Sequence, residues 1–296
     1  MPAESEIESF LAEHRQVSAP RFAEGDTVGG WRIVAFIARG GTAEVYRAER
    51  VADGQVAALK VLHKDDEVHR QRLQREAEFL RANANPAFPA LLDSRIAEGG
   101  ASYLAEEFLY PLVLPRKDGA VAQLMLTLCA AVGYLHCRGL VHRDLKPSNI
   151  MTRREGGTDP VIVDLGLLRS GASAAVPRAD SLTIENGRPV GVGTPGYGAP
   201  EQFIGGEVSP SVDIHALGVL ADRCFEGMPS ATWERIIRRA TSSLPNLRYP
   251  TVASLARSIR RRHWVRNAIG LVLFIVFYIE LHRWLWYWFS NTDRYL

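Results

Sequence analysis

The tightest constraint on the fold is a change of period along the chain. From Trp31 the residues alternate, in "WRIVAFIARGGTAEVYRAER" and then "GQVAALKVLHK", as strands do on either side of a turn at Asp53-Gly54. The stretch "DDEVHRQRLQREAEFLRA" then changes to a helical period, with Val68, Leu73, Ala77 and Leu80 near one face. Two more strands are predicted around 90–97 and 102–108, before a Pro-containing connector. Beyond it, an apolar helix over 121–138, a buried strand in "PVIVDLGLL" and helices in "SVDIHALGVLADRCFEG" and "ATWERIIRRATSSL" follow. Strands first and helices after imply an α+β chain, with a small sheet-rich lobe joined to a larger helical one.

With 296 residues the chain can bury a sizeable core. Its balance, 23% charged with a net charge of +2, gives no reason to expect a nucleic-acid partner. Cys129, Cys137 and Cys224 are scattered and lack metal-ligand spacing, so they read as small apolar residues in a reducing compartment. The acidic, polar stretch Met1–Arg15 does not read as a signal peptide, which places the functional domain on the cytosolic side.

Chemistry concentrates in a few short segments. "VHRDLKPSNIM" sets Asp144, Lys146 and Asn149 in one loop between an apolar helix and an apolar strand. Gly40 and Gly41, in a reversal between strands, remove side chains where backbone N–H groups would meet an anion. Lys60 stands in the apolar "AALKV", where a lone ammonium is costly to bury, and Glu76 on the next helix could supply the anion. Asp164 closes the apolar run "VIV", and Asn149 offers a neutral oxygen, so the two could share a divalent cation. Singly each has a bland reading: a turn, a snorkelling lysine, a structural carboxylate. Together they form an inventory for phosphoryl transfer, with Asp144 taking a hydroxyl proton.

In this order, "AALK", "HRDLKPSN", "VDLG" and "GTPGYGAPE" closely resemble the eukaryotic-type Ser/Thr protein kinases, including their bacterial branch. The resemblance spans roughly 25–262 and implies a bilobal protein-kinase-like fold, with an N-lobe over 25–108 and a C-lobe over 109–262. A segment 1–24 precedes it. It implies ATP and Mg²⁺ (or Mn²⁺) as cofactors and a protein carrying Ser or Thr as substrate. Asp144 becomes the base, Lys146 steadies the transferred phosphate, Lys60 pairs with the phosphates and with Glu76, and Asn149 and Asp164 hold the metal. The nucleotide would lie against Ile37, Ala38, Gly40, Gly41, Val45, Ala58 and Glu107, beside Lys60, Asn149 and Asp164. Glu201 would pair with Arg248, and Asp213 would brace the catalytic loop. Arg143 would bind a phosphate on the segment between Asp164 and Glu201, with Thr183 the preferred site and Ser181 the second. Self-association would serve autophosphorylation.

The chain also departs from the family. Its Gly-rich loop reads Ala38-x-Gly40-x-x-Ala43-x-Val45, with Ala at two of three glycine positions, and Leu165 replaces the usual Phe. Glu106 takes a back-pocket position that is usually apolar or Thr. Between Gly227 and Ala231 little remains of a substrate-docking segment. These departures keep a second reading open: a pseudokinase acting as a membrane-tethered, nucleotide-binding scaffold.

The segment 264–289 contains "NAIGLVLFIVFYIELHRWLWYWF", followed by a short tail, 290–296. From Ala268 to Phe289 a helix would extend about 33 Å, enough for a bilayer core. Glu280 and Arg283 lie at i,i+3 and oppose insertion, whereas the cluster Arg257, Arg260, Arg261, Arg262 and Arg266 fits a cytoplasmic side before it. Three placements follow: a single-pass span with the kinase domain cytoplasmic, an interfacial helix, or a helix buried on the domain.

Overall fold

The computed structural model describes residues 19–97, 100–165, 169–170, 182–185, 188–191, 193–204, 209–225, 227, 229–261 and 274–283. The chain divides into two compact units, Met1–Leu109 and Tyr110–Leu296.

Among its described residues, the first unit is a six-stranded antiparallel sheet with one helix. Its strands are β1 (Thr27–Val28), β2 (Trp31–Arg39), β3 (Ala43–Arg50), β4 (Val56–Leu62), β5 (Leu91–Arg95) and β6 (Tyr103–Glu107), in the order β1-β2-β3-β4-β6-β5. The alternation in β3 and β4 is what splits their residues between two faces. Tyr46, Ala48, Ala57, Leu59 and Val61 enter one core with Trp31, Ile33, Tyr103 and Ala105. Gly29, at φ +55°, is required there: a Cβ would come within 2.2 Å of the Tyr103 ring. The helix α1 (Glu67–Ala82) starts where Asp66 accepts the His69 backbone N–H. Leu73, Ala77 and Leu80 are buried as their spacing predicts, with Glu76 and Phe79. Val68 is the exception: it sits in the first turn at 45% exposure, before the helix meets the sheet.

The second unit is mainly helical. Its long core helix α2 (Asp118–His136) buries Val121, Leu124, Met125, Leu128, Val132 and Leu135. Among the described residues it is the one helix long and apolar enough to cross a membrane, and half of it is buried within this unit, as a core helix is. α4 (Ser211–Arg223) packs on α2 and on α5 (Ala231–Ala240). At Gly218 the helices α4 and α5 come so close that a Cβ would lie 2.7 Å from the Ala240 methyl. A short helix α3 (Pro200–Phe203) precedes them, and helices over 252–261 (α6) and 274–283 (α7) follow.

Short strands frame the loops of this unit. β7 (Tyr110–Pro111), β9 (Ile150–Thr152) and β10 (Val161–Ile162) form one sheet, β8 (Leu140–Val141) pairs with β11 (Arg169–Ser170), and β12 (Leu182–Glu185) pairs with β13 (Arg188–Gly191). The strand expected in "PVIVDLGLL" is thus confined to Val161–Ile162, because Asp164 turns to φ 60° two residues later.

Candidate active site

In the first unit the register assembles the residues that the sequence marks for a nucleotide. Ala38 pairs with Val45, Val45 with Lys60 and Lys60 with Leu104, which places the four in one row on one sheet face. Ala58 lies in the neighbouring row, between Arg47 and Glu106. The opposite face carries the core; on this face Leu104 is buried and Lys60 meets helix α1, while Ala38, Val45 and Ala58 stay incompletely buried. Lys60 Nζ lies 2.9 Å from Glu76 Oε2, and Glu76 is 1% exposed. That pair answers the cost of an ammonium in an apolar strand. Gly40 and Gly41 keep ordinary φ, and a Cβ at Gly41 would meet nothing within 4 Å. Folding therefore does not demand glycine at 41. Ile37 is 48% exposed on β2, and Glu107 at the end of β6 accepts the Ala90 N–H through Oε1 at 3.2 Å.

In the second unit, Asp144, Lys146 and Asn149 converge. Lys146 Nζ lies 2.8 Å from Asp144 Oδ2, and Asn149 donates through Nδ2 to the Asp144 carbonyl at 2.8 Å and to Oδ2 at 3.2 Å. The 3-10 turn Pro147–Asn149 delivers Asn149 to this position. Asn149 is joined to the next strand where Val163 N–H donates to its carbonyl at 3.0 Å, one residue before Asp164. Asp144 is 9% exposed. Its Oδ1 accepts a hydrogen bond from the Thr194 hydroxyl at 2.7 Å, and Lys146 donates to the same hydroxyl oxygen at 2.9 Å.

Two buried braces act here: one holds this loop, and the other holds helix α3, whose Gln202 reaches it. Asp213 is fully buried and accepts the backbone N–H groups of His142 and Arg143 at 2.9 and 2.8 Å, with His136 Nε2 at 2.9 Å. Burial alone would raise its carboxyl, but the His136 hydrogen bond and charge, the His142 charge and the Arg143 N–H outweigh it and hold it below the usual range. Arg143 adopts φ 75°, and Gln202 Nε2 fixes its carbonyl at 2.9 Å. Arg143 and Asp164 are the two non-glycine residues with positive φ among those described, and they bracket the loop in sequence. Such conformations cost about 1–3 kcal/mol each and persist where the surroundings over-determine them. The second brace joins Arg248, buried completely, to both oxygens of Glu201 at 2.6 and 2.9 Å.

The residues marked in the sequence thus fall into two groups. Lys60, Glu76, Ala38, Val45 and Ala58 come together in the first unit, and Asp144, Lys146, Asn149 and Asp164 adjoin in the second. Thr183 lies in β12 opposite Val190, whereas Ser181 lies outside the described residues. Sequence reasoning missed two groups. Nothing in the local pattern marks Thr194 as a partner of the base, which lies 50 residues earlier in the chain. Gln202, in the short helix Pro200–Phe203, and His136, at the end of the apolar α2, carry no signal in the local pattern.

Comparison with known proteins agrees with this arrangement. The protein kinase domain family matches residues 31–242, and the chain belongs to that family. Serine/threonine-protein kinase Pkn1 of Myxococcus xanthus is 31% identical over 276 residues, covering 80% of this chain. Serine/threonine-protein kinase PknD of Mycobacterium tuberculosis is 30% identical over 219 residues, 69% of the chain. The chain spans only part of these relatives, 38% of the first and 31% of the second. Among solved structures, the kinase domain of Mycobacterium tuberculosis PknI has the same fold, with a TM-score of 0.60 and 22% identity over 81% of this chain and 99% of that one.

Proposed function

We propose that the chain transfers the γ-phosphate of ATP to serine and threonine hydroxyls of proteins, with Asp144 as general base. The observation that carries this reading is the Thr194 hydroxyl held on Asp144 Oδ1: the carboxylate already accepts an alcohol proton donor from a peptide chain. In the reaction, the substrate oxygen forms its bond to the γ-phosphorus, the bond to the departing ADP oxygen breaks, and the hydroxyl proton passes to Asp144. Lys146 offsets charge beside the base, and Lys60, oriented by Glu76, holds the ATP phosphates. The direct test is transfer of label from γ-labelled ATP to the chain itself and to an added protein acceptor.

Asn149 and Asp164 fit a divalent cation. The Asn149 amide N–H group is committed to Asp144, which turns its oxygen, the ligating atom, away from that bond. A site of two protein oxygens is what Mg²⁺ favours, since it keeps waters and phosphate oxygens as its other ligands. When bound, the cation supplies charge compensation for the phosphates.

Regulation is proposed at Thr183, in the segment that leads from Asp164 to Glu201. Thr183→Ala should lower activity severalfold, and phosphopeptide mapping of the autophosphorylated chain should find phosphate at 183. A map with phosphate only outside 164–201 would contradict this.

The C-terminal segment is proposed as a membrane anchor. What supports this is α7, where Phe274, Ile275, Val276, Phe277, Tyr278, Ile279 and Leu281 are each at least 40% exposed, so the apolar surface on its described turns is uncovered. Glu280 and Arg283 pair at 3.0 Å, which lowers the cost of carrying both charges into a bilayer. Replacing both by Leu removes at most roughly 5–7 kcal/mol of opposing cost, less what their pairing already offsets. Carbonate extraction should then leave more of the double variant in membranes than of the parent chain. A parent chain wholly in the soluble fraction would contradict the anchor.

A further inference from the structure

The segment just before β1 is tied to the nucleotide hairpin through one buried carboxylate. Glu44 stands in β3, two residues after the Gly40–Thr42 turn, and is 1% exposed. Its Oε2 accepts the Arg21 backbone N–H at 3.0 Å and the Tyr46 hydroxyl. Its Oε1 accepts Arg39 Nε at 2.7 Å and the same guanidinium through Nη2. Both carboxylate oxygens are therefore occupied. Burial would raise this carboxyl, but the Tyr46 hydroxyl, the Arg21 N–H and Arg39 together hold it below its ordinary value.

The same network fixes residues 19–22 at further points. Arg39 Nη2 donates to the Ala19 carbonyl at 3.0 Å, and Arg21 Nη1 to the Leu62 carbonyl at 2.9 Å. Phe22 N–H donates to the Tyr46 oxygen at 3.2 Å, and the two rings meet edge-on with centroids 6.0 Å apart. The ties reach β2 next to Gly40, β3 beyond the turn, and β4 two residues after Lys60. The turn itself is pinned from just beyond β4, where His63 and Lys64 N–H groups donate to the Thr42 carbonyl at 3.1 and 3.3 Å.

We propose that residues 19–22 are a clamp on the nucleotide hairpin, with Glu44 its hub and a positioning residue for ATP. This rests on the kinase reading above. A hairpin with alanine at positions 38 and 43 still reverses through Gly40-Gly41, and the clamp fixes the two strands that flank that turn. Whatever displaces residues 19–22 then weakens nucleotide binding without touching Lys60, Glu76 or the second unit. The clamp makes the chain ahead of the kinase domain a route by which a bound partner or a modification could set ATP affinity.

The test uses the full-length chain and measures ATP dissociation constants directly, beside kcat and KM. Glu44→Ala, and separately Arg21→Ala with Phe22→Ala, should each weaken ATP binding by about tenfold, the scale of a lost charged hydrogen bond, with kcat within about twofold. Combining the two sets should add little more, because Glu44 and the side chains of Arg21 and Phe22 hold the same segment, even though the Arg21 N–H that Glu44 accepts survives in Arg21→Ala. Arg21→Lys with Phe22 retained should recover most of the affinity. Arg32→Ala, which breaks only an exposed pair with Glu49, should leave binding unchanged. Amide exchange in residues 39–45 should quicken in the two clamp variants. Unchanged ATP affinity in folded clamp variants, even with a lowered melting temperature, would make the network a structural brace and overturn the proposal alone. A parent chain that binds no ATP would overturn the kinase reading and the clamp with it.

Discussion

Asp144→Asn should lower phosphotransfer at least about a hundredfold while the second unit stays folded. The substitution keeps the shape of a side chain that is 9% exposed, and its remaining oxygen can still accept the Thr194 hydroxyl. It removes the atom that takes the proton, and it turns an N–H₂ group toward Lys146 or Asn149, which are donors. General-base removal costs about 10²–10⁴ in rate, or about 2.7–5.4 kcal/mol of barrier. Lys60→Ala should cost as much in rate, but with a loss of stability as well, because it takes the counter-charge from a carboxylate that is 1% exposed. Lys60→Met with Glu76→Gln separates the two effects: stability should return and activity should not. Wild-type-like transfer in Asp144→Asn would remove the assigned role.

The largest stability effect is expected at Arg248. Its guanidinium is fully buried, bidentate on Glu201, and also donates to the carbonyls of Ser242 and Ser211 at 2.7 and 3.1 Å. Arg248→Ala leaves that carboxylate without its counter-charge and opens a large cavity, a loss of about 3–5 kcal/mol. That is a large share of the roughly 5–15 kcal/mol a domain has. Lysine should rescue little, since it cannot reproduce the fork. The pair also sets an acid limit. Burial raises the Glu201 carboxyl, but the hydrogen bonds and charge of Arg248 bring it below its ordinary value. A depressed folded-state pKa means the stabilisation is present above the unfolded value, about 4.3, and fades as pH falls through the folded one. Urea titrations from pH 7 down to pH 3 should show the parent losing stability over that range, and Arg248→Ala losing less. Equal slopes would contradict the assignment of the acid limit to this pair.

Much of the first unit is legible in the sequence because its elements are long enough to show a period. Ala57, Leu59 and Val61 alternate with Ala58 and Lys60, and the burial follows that alternation. The cap at Asp66 and the apolar stripe from Leu73 to Leu80 are equally local signals. Val68 misled because a period says which face a residue shares, not where along the helix contact begins. In the second unit the two-residue strands contain no period at all, and they form because residues distant in sequence meet. The active loop was legible by its density of chemistry, and the braces at Asp213 and Glu201–Arg248 only through family resemblance. The Thr194 bond to Asp144 and the Glu44 clamp join residues whose separation leaves no trace in local pattern.

The central claim is that this chain moves phosphate from ATP to serine or threonine. The measurement closest to it is phosphoamino-acid analysis of the full-length chain and an added protein acceptor after incubation with γ-labelled ATP and Mg²⁺, beside Asp164→Ala. Label on phosphoserine or phosphothreonine with the parent chain, and none with Asp164→Ala, is the expected result. A parent chain that binds ATP yet transfers no label to any hydroxyl would contradict the claim and leave a nucleotide-binding scaffold in its place.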